Sequence, residues 1–164
     1  MDMQVQGSSE AVKSLLAEGL QAVQGASNVG RQATQRIQQA ATHPELKQML
    51  QKGSEVTETW RQRVDQAVQS VGGQGGNQSN PISEAIEQVG QKISQRMQDE
   101  TARDLGIIAS GQIALHYHIA SFGTLAAYAK MLGMQQVAQT MGECLQEAKQ
   151  ADEKYTELAQ RIAG

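Results

Sequence analysis

Few residues in this chain have chemistry to offer. His116 and His118 are separated by one residue; further on come the lone cysteine, Cys144, and then Glu147, Asp152 and Glu153. An imidazole beside a carboxylate is a metal-ligating or proton-transferring pair. On a helix, residues two positions apart point about 200° away from each other, so His116 and His118 cannot grip one ion from the same helix. His118 shares a stripe with Ile108, Leu115 and Phe122 and is expected to face inward. A metal site would therefore draw on His118 with a carboxylate from another helix, Glu147 first, and on His116 only at the margin. The competing reading makes His118 a hydrogen-bonded core histidine, and Glu147, Asp152 and Glu153 a solvated charged face. Cys144 falls on an apolar helical seam, where a thiol packs rather than reacts. Gly72 to Gly76 neither follows a strand pattern nor precedes a Lys-Ser/Thr pair, so it is not a phosphate-binding loop.

The elements that must position these groups are helices. The 164 residues are 39% hydrophobic but only 3% aromatic, and about one in six is Gln. Gln, Ala, Leu, Met, Glu and Lys favour helix, and the β-branched and aromatic runs of strands are scarce. The length suits one domain spanning 1–164 with a sizeable core. A net charge of −3 gives no basic footprint for nucleic acid. No apolar run approaches the ~18 residues needed to span a bilayer, and Met1-Asp2-Met3-Gln4 has neither the basic nor the apolar region of a signal peptide. A single cysteine excludes an internal disulfide and fits a reducing cytoplasm.

Hydrophobic spacing predicts four main helices and one short one. The first runs from residue 9 to about 41 through Val12, Leu15, Leu16, Leu20, Val23, Ser27, Gly30 and Ile37. A kink is expected where Gly25, Ser27, Asn28 and Gly30 cluster, and residues 1–8 are expected to be flexible. Thr42 and Glu45 have the spacing of a capping box, with Pro44 suited to a first turn. A second helix then runs to about Val71 through Leu46, Leu50, Gly53, Val56, Trp60, Val64 and Ala67. Residues 72–80 read as a Gly-rich loop. Asn80-Pro81 caps a short helix with a clean apolar stripe of Ile82, Ala85, Ile86, Val89, Ile93 and Met97. The helix from about Thr101 to Leu132 is apolar over much of its circumference and belongs at the centre, with Gly111, Ala120, Gly123 and Ala127 allowing close approach. Gly133 is placed to end it. The last helix, about Gln135 to Ala163, carries a near-heptad seam of Val137, Met141, Cys144, Leu145, Ala148, Ala151, Tyr155, Leu158 and Ile162. The short connection at Gly133-Met134 makes these two helices antiparallel.

Three runs go further: His116-Tyr117-His118-Ile119-Ala120-Ser121-Phe122-Gly123-Thr124, Leu132-Gly133, and Ala151 through Ala159. Together with Pro44-Glu45-Leu46-Lys47 and Ile82 to Glu87, they resemble the small ferritin-like bacterial family typified by YciF and YciE. The resemblance covers about residues 27 to 162. It implies an all-α, ferritin-like four-helix bundle with one additional short helix, homodimerisation and an association with stress responses.

For ferritin-like proteins generally, it also implies a di-metal centre held by a Glu from each of two helices and a Glu-x-x-His from each of the other two. Here the matching positions hold other residues. Ser27 stands at the first-helix position, Val56 at the second-helix glutamate and Gly53 at the upstream His. Leu115 and His118 stand at the two glutamates of the third helix, and Ala148 at the fourth-helix glutamate. Two hard cations in a dry core need oxygen ligands to neutralise them, and these residues do not supply them. The expectation is therefore a non-enzymatic, metal-free bundle with vestigial ligand positions, acting as a structural or protein-interaction module with no nucleic-acid or membrane partner. The alternative is an iron-binding, oxidase-type protein using shifted ligands around His118 and Glu147.

Overall fold

A computed structural model describes residues 2–73 and 79–164, with the side chains of all of these except residues 2–8 and Gln32. The described residues form five helices: α1 (Asp2–Ala40), α2 (Pro44–Ser70), α3 (Pro81–Arg96), α4 (Glu100–Met131) and α5 (Gln135–Ala163). α1, α2, α4 and α5 make the ferritin-like four-helix bundle, and the shorter α3 lies against α1 and α4. Most of the Gly-rich loop expected over 72–80 lies outside the described residues.

The ends of the helices follow from local chemistry. At the close of α4, Gly133 adopts φ 70°, where a residue with a Cβ would be strained. The Met134 amide then donates to Ala129 O at 2.9 Å and the Gly133 amide to Lys130 O at 3.1 Å, the paired bonds of a Schellman cap. Gly72, at φ 76°, closes α2 in the same way. Asn80 caps α3 by accepting from the Ser83 amide at 2.9 Å, and Asp99 caps α4 by accepting from the Ala102 amide.

Two expectations are corrected. α1 starts at Asp2, not residue 9, and runs unbroken through Gly25 to Gly30. Residues 23–27 are all buried, so tertiary packing outweighs the helix cost of glycine there. Thr42 does not cap α2. That place falls to His43, whose side chain makes no capping bond, because Thr42 turns to Asp104 on α4. The buried Asp104 carboxylate accepts from Thr42 Oγ1 at 2.6 Å, Thr42 N at 2.9 Å and His43 N at 2.7 Å, which ties the α1–α2 turn to α4. The apolar stripe of α3, on whose burial the spacing is silent, lies largely open. Ile82 and Val89 are 58% and 48% exposed, and only Gly90 is buried. α3 approaches through its small residue, with Gly90 set against Ser110 and Ile37, and Ile93 lies so close to Gly106 that a side chain there would collide with it.

The interior has two packed ends. At one, Leu16, Leu20 and Val23 of α1 meet Trp60, Val64 and Val68 of α2, Phe122 and Leu125 of α4, and Met141 and Cys144 of α5. At the other, Leu46 and Leu50 meet Ile107, Ile108, Tyr155 and Leu158. The seams expected on α2 and α5 are the ones buried, whereas Leu15 of α1 is half exposed. On α4, Ala120 and Ala127 face outward rather than toward a neighbouring helix.

Candidate functional site

Between the two packed ends lies the level at which the resemblance places a metal centre. α1 brings Ser27 and Gly30 to it, α2 brings Gly53, Val56 and Trp60, α4 brings Leu115 and His118, and α5 brings Ala148 and Ala151. Ser27 is buried, and its hydroxyl is spent on its own helix, donating to Val23 O at 3.0 Å. Val56 and Leu115 are partly buried against the core, and Ala148 is wholly buried.

His118 points inward, as its stripe predicts, and is 8% exposed. Its Nδ1 lies 2.8 Å from Ala114 O. A carbonyl only accepts, so Nδ1 carries the proton and Nε2 holds the free lone pair. Nε2 is buried and has no hydrogen-bond partner among the described residues. Burial lowers the His118 pKa below the ordinary 6.5, with the bond to Ala114 pulling weakly the other way. The ring sits among aromatics, with Trp60, Tyr117 and Phe122 all at centroid distances of about 5.5 Å.

The other candidates are dispersed. His116 is on the outside, paired with Asp152 at 3.2 Å. Glu147 reaches the level of His118 but is held elsewhere: it accepts from Trp60 Nε1 at 2.7 Å and from Arg63 at 3.0 Å. It is thus a bound partner of the core tryptophan rather than a free member of a solvated face. Arg63 also lies 3.8 Å from Cys144 Sγ. Burial pushes that thiol above its ordinary range despite the guanidinium, consistent with a packing role.

A di-metal centre does not fit this donor set. Three of the residues at the vestigial ligand positions, Val56, Leu115 and Ala148, have no donor atom in their side chains. Ser27 is engaged and His118 offers one nitrogen. Among the described residues, no group of three or more His, Cys, Asp and Glu is placed to share an ion.

In place of ligands the level contains a cavity of about 330 Å³, with mostly apolar walls. Sequence reasoning missed it, and also missed the Tyr155 phenol on its wall, whose pKa burial pushes up to about 12. The signal available was the coincidence of small residues at one height: Gly30, Gly53, Gly111, Ala114 and Ala151.

These features define a ferritin-like bundle whose centre is lined mostly by small and apolar side chains. Residues 10–164 match the family described as a domain of unknown function, DUF892, and the chain belongs to that family. It is 30% identical to the protein YciF of Escherichia coli K12 over 128 residues, which is 77% of each chain. The crystal structure of the E. coli stress protein YciF superposes with a TM-score of 0.88 at 27% identity, over 93% of this chain and 96% of that one. YcfI from Rhodopseudomonas palustris gives a TM-score of 0.84 at 28% identity, over 88% and 92% of the two chains.

Proposed function

We propose that this protein is a metal-free member of its family that acts as a structural, self-associating module. The observation that carries the reading is the donor set at the bundle centre, where a single imidazole nitrogen replaces the carboxylates of a di-metal site. A second copy of the chain is the partner. On the outward side of α4, residues Ala109, Ile113, His116, Ala120, Thr124, Ala127 and Met131 fall at helical spacing and are all exposed. Ile113 and Met131 are 54% and 71% exposed, and Ile82 and Val89 of the adjacent α3 extend the apolar area. No helix of the described residues is long and apolar enough to cross a membrane, so a protein surface is the natural cover. The E. coli relative is described as a stress protein, and that setting is carried over as part of the proposal.

The iron-handling alternative requires Glu147 to leave both Trp60 and Arg63 in order to join His118. Metal content after incubation with Fe(II) under controlled oxygen, measured by elemental mass spectrometry, decides between the two. We expect iron near background; about two irons per chain would overturn the metal-free reading. Light scattering should give the mass of two chains, and that of one for Ile113→Glu. A monomeric wild type would refute self-association.

A further inference from the structure

We propose that the central cavity is a binding site for a small, neutral aromatic molecule, held by its mostly apolar walls. This inference concerns the inside of the bundle and does not rest on self-association.

Size comes first. An apolar protein cavity of about 150 Å³ takes up benzene; this one measures about 330 Å³, room for a bicyclic aromatic. That volume also lies at the lower end of the range of small-molecule sites.

The walls come second. Of the four glycines that line the cavity, three from different helices leave space that a side chain would enter. A Cβ at Gly30 would meet nothing within 4 Å; one at Gly53 would meet only Tyr155 Oη, at 4.0 Å; one at Gly111 only Tyr155 Cζ, at 3.9 Å. Glycine within a helix lowers its stability relative to alanine, and unfilled volume costs packing. Both costs fall at the same height of the bundle, and a ligand filling that volume would offset them. Trp60 and Tyr155 supply aromatic surface, which favours an aromatic guest.

The way in comes third. Lys52, Gln150 and Lys154 stand on the exposed rim between α2 and α5.

The test uses Trp60, the chain's only tryptophan, as the reporter. A bromonaphthol entering the cavity should quench its fluorescence through the heavy atom, saturating at one molecule per chain. Gly53→Leu, and independently Gly30→Leu on the neighbouring helix α1, should each weaken binding by more than tenfold without lowering Tm. Quenching that rises linearly without saturation would overturn the proposal. So would undiminished binding in whichever leucine variant is folded. Metal content and chain mass enter none of these readouts, so failure here would leave the proposed function standing.

Discussion

The end of the bundle built on Phe122 and the middle built around Gly53 use the same four helices and pack in opposite ways. At the Phe122 end each helix contributes large side chains, and Leu16, Leu20, Val64, Phe122 and Met141 are all 0% exposed. About three turns along, the same helices contribute Gly30, Gly53, Gly111 and Ala151, and a cavity results. A four-helix bundle therefore does not need its centre filled to stay together. Closely packed layers above and below fix the helix spacing, and the middle can then vary in chemistry without the fold changing.

The comparison makes three predictions about stability. Phe122→Ala removes a fully buried ring from the packed end and should cost about 3–5 kcal/mol in urea unfolding; a loss below about 1 kcal/mol would mean that this end is as loose as the middle. Asp104→Ala leaves Thr42 and His43 with unpaired donors and should cost about 2–3 kcal/mol. Burial raises the pKa of Asp104, but the bonds from Thr42 and His43 and the nearby Arg103 hold it below its ordinary 3.8. A carboxylate whose pKa is lowered by folding contributes stability that is fully present above the unfolded value and is lost as pH falls through the folded one. The wild type should thus lose stability in acid below about pH 3.8, and Asp104→Ala should show a shallower loss; parallel acid titrations would discard the clamp. Gly30→Ala in the middle has the smallest effect and the opposite sign. With nothing within 4 Å of the new Cβ, it should raise stability by about 1 kcal/mol through helix propensity alone. Destabilisation there would show the middle to be filled more tightly than its geometry indicates.

Much of this architecture was legible in the sequence where one signal dominated. The stripes of α2 and α5 are long and regular, and Gly133 marks a turn that only a positive φ allows. His118 was correctly turned inward because its neighbours on the stripe, Ile108 and Phe122, were apolar. The reading failed where tertiary contacts outweighed local preference. The glycine-containing stretch of α1 stays helical because residues 23–27 are buried against the core, and Thr42 gives up its cap for a buried carboxylate sixty-two residues away. The α3 stripe is regular in the sequence, but periodicity reports amphipathicity, not what covers it. The cavity was the least legible feature, since small residues taken one helix at a time suggest close approach. Only their common height, which the register between helices sets, turns them into a space.

The connections Ala41–His43 and Leu132–Met134, three residues each, also bear on how the chain acquires this form. Bringing two segments together costs less entropy the shorter the loop between them, so α1 with α2 and α4 with α5 are the two least expensive long-helix pairs in the bundle. The α1 and α4 walls of the cavity, by contrast, meet only after most of the intervening chain has been closed. The centre of the bundle is thus a late product of assembly, shaped where two local hairpins dock.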